Sequence, residues 1–255
     1  MKQLVAFDLD GTLALSKQPL QDDMGEALAD LLGVAHVAVI SGGDWPQFQK
    51  QVASRLPERA DRTKLWLMPT TGTKLYTYKD DWTPVFAELF SDEERRGIID
   101  AFAASLQATG FKPERTWGEQ VEDRGSQVTF SALGQQAPLE EKEHWDPDFA
   151  KRKVIQADLR TRLPGLSINM GGATSIDITR EGVDKAYGLK KLRDASGIPL
   201  DAMMFIGDAI FPGGNDYPAH ELGLDTVRVK NPDGGPQRGR ASGSLLWHSQ
   251  VWLTR

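Results

Sequence analysis

Short apolar runs alternate with amphipathic segments over the first third and the last quarter of the chain. The runs are typical of buried strands, and the segments between them repeat their apolar residues at helical spacing. Strands are predicted at residues 4–7, 34–40, 65–68, 202–206 and 226–229, a hairpin arm at 74–78, and helices at 24–32, 45–56 and 185–195. This alternation predicts an α/β fold: a Rossmann-like, three-layer core with helices on both faces of a parallel sheet.

The middle of the chain has a different pattern. Apolar and polar residues alternate, as in half-buried strands, at residues 127–133, 166–170 and 174–178. Ser91 and Glu94 have the spacing of a capping box, which predicts a helix running to about residue 109. Asp146-Pro147 is predicted to begin another helix, because proline is favoured at the first helical position.

The two patterns divide the chain into two domains. We predict a discontinuous core domain formed by residues 1–82 and 184–255, and an inserted α+β domain at residues 83–183. The segment after Asn231 is rich in glycine and arginine without clear periodicity, and it is given no function.

Composition narrows the possible functions. A net charge of -6 and the lack of a long basic run make a nucleic-acid or membrane partner unexpected. The chain has no cysteine, which excludes disulfides and thiolate chemistry, and its four histidines are not at ligand spacing. Any metal is therefore expected to have oxygen ligands. No leader or membrane-spanning pattern is visible, so the cytoplasm is the expected location.

The first candidate for chemistry is the segment Asp8-Leu9-Asp10-Gly11-Thr12, which directly follows the first predicted strand. Ligands of open parallel sheets bind beyond the carboxyl ends of the strands. Side chains two residues apart in extended chain point the same way, so Asp8 and Asp10 can both face that edge. Taken alone, the segment is better explained as a strand that ends in an Asx turn, because such short motifs often occur by chance.

Two further segments have the chemistry of a phosphate site. Ser41 and Gly42 follow the second predicted strand and precede a helix, where a hydroxyl and free backbone amides can bind an anion. Lys185 begins a later helix and can neutralise a phosphate. Taken separately, the first segment could equally be a helix cap, and Lys185 would be expected to be a solvated surface lysine.

The last predicted buried strand ends at Asp208, and a glycine-rich loop then leads to Asp216. Carboxylate oxygens suit Mg²⁺, which usually takes one or two protein carboxylates together with phosphate and water. Four strand-end signals in the order Asp, Ser, Lys, Asp make a chance arrangement improbable.

These motifs resemble the haloacid dehalogenase-like (HAD) phosphotransferase superfamily. The resemblance implies that Asp8 is a nucleophile that forms an aspartyl-phosphate and that Asp10 is the general acid and base. It implies that Ser41 and Lys185 hold the transferred phosphoryl group. It also implies Mg²⁺ as cofactor, bound by Asp8, the backbone carbonyl of Asp10 and Asp208, with Asp216 supporting them.

The insert resembles the α/β cap of the Cof-type (IIB) branch, and within it the eukaryotic-type phosphomannomutases. The segments 171–177, 182–185 and 211–216 carry this similarity. It implies that Arg124, Ser175 and Asp177 bind substrate in the cap. Lys17, Gln135 and the region of Trp117 stand where those enzymes have arginines, and Lys17 is included among the predicted substrate-binding residues.

Three functions follow as hypotheses. The first is a phosphatase of a small phosphorylated metabolite such as a sugar phosphate, because loss of cap arginines weakens a second phosphate site. The second is a phosphomannomutase or other phosphohexomutase that uses a bisphosphate activator. The third is a non-catalytic protein that binds a phosphometabolite, since fold alone does not dictate function. A monomer or a homodimer is expected.

Overall fold

The computed structural model describes residues 2–111, 113–171 and 173–229. It contains two compact units: one comprises the chain up to Ala87 and from Asp184 onward, and the other comprises Glu88–Val183. The predicted segment after Asn231 lies outside the described residues. No helix within the described ranges is both long enough and apolar enough to span a membrane.

Strands and helices alternate along the described chain. In order they are β1 (Leu4–Phe7), α1 (Asp22–Leu32), β2 (His36–Ile40), α2 (Trp45–Gln51), β3 (Leu65–Met68), β4 (Lys74–Tyr78), β5 (Trp82–Ala87), α3 (Asp92–Thr109), β6 (Val121–Asp123), β7 (Val128–Ser131), α4 (Leu139–Trp145), α5 (Ala150–Arg162), β8 (Leu166–Met170), β9 (Ser175–Arg180), α6 (Lys185–Ser196), β10 (Met203–Gly207), α7 (Tyr217–Glu221) and β11 (Asp225–Arg228).

The first unit is built on a seven-stranded sheet in the order β11-β10-β1-β2-β3-β4-β5. The first five strands of that order are parallel, and β4 and β5 are antiparallel additions at one edge. The predicted hairpin of residues 74–78 with the third strand is thus present. β1 lies between β10 and β2, so the chain after β1 emerges near the middle of the sheet.

Both faces of this sheet are apolar. Val5 and Phe7 of β1 pack in a cluster with Leu28 of α1 and Phe48 of α2. The alternate residues of the strands pack on the other face, in a cluster that contains Leu189 of α6. Side chains alternate between faces, so uninterrupted apolar strands require helices on both sides. The predicted three-layer α/β core is confirmed.

The second unit, the cap, contains a four-stranded antiparallel sheet in the order β6-β7-β9-β8. One face packs on α3 and α5, where Phe102 and Ile155 meet Phe130 and Ile176 in one buried cluster. The other face carries the intervening polar side chains. Apolar side chains on the helix side and polar side chains on the other side explain why the sequence alternates here.

Three of the differences from the sequence prediction concern where elements or domains begin and end. The predicted boundary at residue 83 falls inside β5, which pairs with β4 and belongs to the first unit as far as Ala87. The helix expected to begin at Asp146 begins instead at Ala150, because Phe149 has left-handed backbone (φ 63°). The second helix ends at Gln51 rather than near residue 56 and is followed by a short 3-10 turn.

Candidate active site

The ends of neighbouring parallel strands bring the first predicted residues together. Phe7, the last residue of β1, pairs with Ile206 of β10 and Val39 of β2. Asp8 therefore follows in register between the ends of those two strands, and its amide donates to the Ile206 carbonyl over 2.9 Å. The Asp8 side chain is only 5% exposed.

Lys185 is in direct contact with Asp8. Its Nζ lies 2.6 Å from Asp8 Oδ1, and it also donates to the backbone carbonyl of Ile40. Asp184 caps α6 by accepting from the Tyr187 amide over 2.8 Å, which fixes the first turn of the helix that presents Lys185. Lys185 is a buried ion-pair partner rather than a solvated surface residue.

Asp208 and Asp216 complete a cluster of carboxylates with Asp8. One oxygen from each of the three residues can be chosen so that all lie within 4.8 Å of one another. A close approach of backbone makes this possible: a Cβ at Gly11 would lie 2.7 Å from Asp208 Oδ2. Gly11 also has a φ of +92°, so glycine is favoured there for two reasons.

The polar contacts of Asp216 fit a cation site. Asp216 is fully buried, and its Oδ2 accepts from the Ala209 amide over 3.0 Å. Its Oδ1 has no hydrogen bond within the described residues, although Lys185 Nζ lies 3.5 Å away. Three carboxylates share one ammonium, and like charges this close are stabilised by a cation or a proton. The donor set is all oxygen, as Mg²⁺ prefers.

The electrostatics of the metal-free cluster reflect this excess of acid. Burial raises the pKa of Asp8 to about 7; the Asp216 and Asp208 carboxylates add to the rise, while Lys185 opposes it. Burial also raises the pKa of Asp208, and Asp216 contributes in the same direction. Burial lowers the pKa of Lys185, but Asp8 and Asp216 together raise it further, so the ammonium form is favoured.

The carboxylate of Asp10 is held by a different set of groups. Its Oδ2 accepts from Gln47 Nε2 over 3.0 Å, and its Oδ1 accepts from Gln51 Nε2 over 3.1 Å. Oδ1 also accepts from the backbone amide of Lys17 over 2.7 Å. Sequence reasoning did not identify the two glutamines, although their i, i+4 spacing in α2 places them on one helix face.

Ser41 and Gly42 lie at the end of β2, as predicted, in a loop braced by the segment after β3. Ser41 is buried, and its carbonyl accepts from the Thr71 amide over 2.9 Å. The Gly43 carbonyl accepts from the Thr70 amide, also over 2.9 Å. Thr70 and Thr71 both have left-handed backbone (φ 50° and 59°), which is uncommon for β-branched residues and is found mainly at constrained sites.

One polar network in the cap contains two of the residues implied by the resemblance, Arg124 and Asp177. Asp177 on β9 is opposite Thr129 on β7, whose Oγ1 donates to Asp177 Oδ1 over 2.7 Å. The Gln127 side-chain amide donates to the same Thr129 hydroxyl, and the backbone carbonyl of Gln127 accepts from the backbone amide of Arg124. The guanidinium of Arg124 pairs with Glu122 over 2.6 Å.

Ser175 occupies the same polar face. It pairs with Ser131 across β9 and β7, and the two hydroxyl oxygens are 3.3 Å apart. Thr129, Gln127 and Glu122 were not identified from sequence, although alternation along β6 and β7 would have placed Glu122 and Thr129 on the side opposite the apolar cluster.

A separate groove of about 430 Å³ lies within the cap, lined by Trp117, Trp145, Arg115 and Lys151 among others. None of its lining residues belongs to the carboxylate cluster or the polar network. The groove is thus separate from the candidate site, and the convergence of charged groups is the guide to that site.

Comparison with known proteins decides the family. The family model described as eukaryotic phosphomannomutase matches residues 24–238. The chain belongs to the eukaryotic phosphomannomutase family. The match begins after Asp8 and Asp10, so the assignment of those two residues to the candidate site rests on the geometry described above.

Relatives in this family match over most of their length. A phosphomannomutase of Schizosaccharomyces pombe is 27% identical over 243 residues, which cover 91% of each chain. Phosphomannomutase 1 of Mus musculus is also 27% identical, over 84% of this chain and 81% of its own. The predicted similarity to the phosphomannomutases is thereby confirmed, and the chain is an enzyme of the phosphotransferase or phosphohydrolase type.

Solved structures agree on the fold. An IMP-nucleotidase of Plasmodium falciparum superposes with a TM-score of 0.67 at 16% identity, covering 96% of this chain and 69% of its own. A haloacid dehalogenase-like hydrolase of Bacteroides thetaiotaomicron gives a TM-score of 0.61 at 14% identity, covering 97% of this chain and 100% of its own.

Proposed function

We propose that the chain is a phosphohexomutase of the phosphomannomutase type, which moves a phosphoryl group between two hydroxyls of a phosphorylated hexose. Family membership supports this reaction above hydrolysis, the first hypothesis from sequence. The observation that carries the chemistry is the buried Asp8 carboxylate, 2.6 Å from Lys185 Nζ and clustered with Asp208 and Asp216. Phosphoryl transfer depends on positioning and charge neutralisation, which such a cluster can supply.

In the proposed mechanism Asp8 attacks the phosphorus atom of the donor. The new bond from Asp8 to phosphorus forms as the bond to the leaving oxygen breaks, and that oxygen takes a proton from Asp10. In the second half, an acceptor hydroxyl gives its proton to Asp10 and attacks the aspartyl-phosphate, which restores the Asp8 carboxylate. Lys185 neutralises negative charge on the phosphoryl oxygens, and Ser41 and Gly42 are proposed to bind them.

The proposed cofactor is Mg²⁺, held by Asp8, Asp208 and the backbone carbonyl of Asp10, with Asp216 beside them. Two observations support it: the buried Asp216 Oδ1 has no hydrogen bond in the part of the chain that the structure describes, and carboxylates outnumber the ammonium. When bound, the ion would neutralise charge on the transferring phosphoryl group. The proposed substrate contacts in the cap are Arg124, Ser175 and Asp177.

Hydrolysis with water as the acceptor is the second candidate. Gln135 favours it, because glutamine stands where the resembling mutases have an arginine and carries no charge for a second phosphate. The third hypothesis, a binding protein without catalysis, is not favoured, because both Asp10 and the full carboxylate cluster are present.

One assay separates these functions. Purified protein with Mg²⁺ is given mannose 1-phosphate, with and without a hexose bisphosphate, and both mannose 6-phosphate and free phosphate are measured. Isomerisation faster than phosphate release, and dependent on the bisphosphate, supports the mutase. Phosphate release that exceeds isomerisation supports the phosphatase instead. Neither product, with phosphosugar binding intact, supports the non-catalytic hypothesis.

A further inference from the structure

The Asp10 carboxylate accepts hydrogen bonds from groups later in the chain. Both carboxylate oxygens are engaged: Oδ2 by Gln47, and Oδ1 by Gln51 and by the Lys17 amide. A carboxylate with three N–H donors cannot rotate about its terminal bond without breaking at least one of them. Its orientation is therefore set by groups that the chemistry itself does not use.

The Gln51 side chain has only one workable orientation. Its Nε2 donates both to Asp10 Oδ1 and to the Gln18 carbonyl, over 3.1 Å and 2.6 Å. Its Oε1 is buried and has no hydrogen bond within the described chain. Flipping the amide would place that oxygen against two acceptors, so Gln51 can serve Asp10 only as a donor.

Helix α2 holds the two glutamines in place. Phe48, between them in sequence, is fully buried in the core cluster and anchors the helix. Gln47 and Gln51 are four residues apart and share one face, whereas Gln49 lies on another face and is exposed. The helix thus presents two amides to Asp10 and leaves a third glutamine in solvent.

We propose that Gln47 and Gln51 are positioning residues that hold the Asp10 carboxylate in the orientation required for proton transfer. This inference rests on the proposed function, in which Asp10 is the acid and base. An acid or base must be aligned with the oxygen that it serves, and misplacement by about 1 Å can cost about 10²-fold in rate. The glutamines act through Asp10 and make no contact with substrate in this proposal.

The test compares Gln47→Leu and Gln51→Leu with the matched control Gln49→Leu. Turnover of the phosphohexose is measured at saturating and limiting substrate. We expect Gln47→Leu to lower kcat about 10- to 100-fold while KM changes by about twofold at most, because orientation is lost and binding is kept. Gln49→Leu should retain wild-type values. Gln51 also donates to the backbone carbonyl of Gln18, so Gln51→Leu could prevent folding. In that case the kcat of Gln47→Leu alone tests the inference.

A double-mutant cycle shows whether the effect passes through Asp10. Each glutamine variant is also made in the Asp10→Asn background, where we expect no further fall in kcat. An unchanged kcat in Gln47→Leu would overturn the inference. So would a fall in kcat of the same size whether Gln47→Leu is made in the wild-type or in the Asp10→Asn background.

An aryl phosphate separates this inference from the proposed function. The leaving group of p-nitrophenyl phosphate needs no proton, so the first burst of nitrophenol should persist in Gln47→Leu and Asp10→Asn but vanish in Asp8→Asn. A burst that survives in Asp8→Asn contradicts the proposed nucleophile. An Asp10→Asn protein with full phosphohexose turnover contradicts the acid and base role, and with it the role of the glutamines.

Discussion

Each unit of the molecule contains a buried ion pair, and the two pairs are built differently. In the cap, Asp146 and Arg152 lie 2.8 Å apart with side chains 0% and 1% exposed. The Asp146 carboxylate also accepts from the amides of Lys151 and Arg152 at the start of α5, and Arg152 donates to the Gly171 carbonyl. One acid meets one base, and backbone groups provide further hydrogen bonds to both.

The pair in the core has no such balance. Lys185 meets Asp8 at 2.6 Å, but Asp208 and Asp216 belong to the same cluster, and Asp216 Oδ1 is buried without a hydrogen bond. Both regions therefore bury charged groups, but the core cluster has more carboxylates than ammonium groups and the cap pair does not. A balanced buried pair is expected to be structural, whereas an unbalanced cluster with a raised pKa indicates a functional site.

The strongest test of the comparison removes the acid of the core pair. Asp8→Asn should lower phosphoryl transfer by at least about 10³-fold, because the amide cannot form the acyl-phosphate bond. It should not destabilise the metal-free protein at neutral pH, because an unfavourable buried charge is removed as well. Steady-state turnover and chemical denaturation of the same preparation measure both effects. A protein that loses stability and keeps its activity would refute the functional assignment.

The same change in the cap should have the opposite result. Asp146→Ala leaves Arg152 buried without its carboxylate and removes an acceptor from the start of α5, so the free energy of unfolding should fall by about 3–5 kcal/mol. Turnover per folded molecule should change little below the unfolding transition. Glu143→Ala, an exposed acid on α4, is the control and should alter neither quantity. Activity loss without loss of stability would show that the cap pair is not merely structural.

The dependence of stability on pH should also differ. The pKa of Asp8 is about 7 in the folded metal-free protein and near 3.8 when unfolded, so the folded state binds more protons between these values. Stability without Mg²⁺ should therefore fall as pH rises from about 4 to about 7, by a few kcal/mol. Lys185 does not oppose this trend, because its raised pKa acts at higher pH.

Denaturation midpoints measured in EDTA across this pH range test the prediction. Asp8→Asn should flatten the slope. Added Mg²⁺ should raise stability most at the alkaline end, where Asp8 is ionised. A metal-free protein that becomes more stable between pH 4 and 7 would contradict the raised pKa.

Sequence and structure agree best where burial is complete. β1, β2 and β10 are short, uninterrupted apolar runs, so both their type and their place in a parallel sheet follow from the pattern. The carboxyl ends of these strands then bring Asp8 and Asp208 to the same edge. The core cluster could be anticipated for this reason.

The sequence pattern did not predict the strand at the edge of the sheet or the contacts between elements. β5 contains Pro84, which argues against a central strand but is tolerated at the edge of the sheet, where β5 lies. The contacts of Gln47 and Gln51 could not be predicted either. Their spacing places them on one face of a helix but does not show which residue that face contacts. Only tertiary packing brings that face to Asp10.

The smallest predicted effect concerns charge on the cap, whose polar network resembles the balanced pair more than the core cluster. Arg124 is the arginine among the substrate-binding residues predicted in the cap, and its guanidinium lies 2.6 Å from the Glu122 carboxylate. Gln135→Arg adds a cation at this position, and arginine can bind a phosphate through two parallel hydrogen bonds. We expect about a three- to tenfold rise in the ratio of isomerisation to phosphate release, about 1 kcal/mol.

Gln136→Arg is the matched control, because it adds the same charge at the exposed neighbouring residue. An equal response from both variants would mean that a general increase in positive charge steers the substrate, since such steering does not depend on one position. A response from Gln135→Arg alone would mean that this position lies within reach of the second phosphate. The imbalance of charge that marks the core site could then be introduced into the cap by a single residue, and the partition between sugar hydroxyl and water would be set there rather than at Asp8.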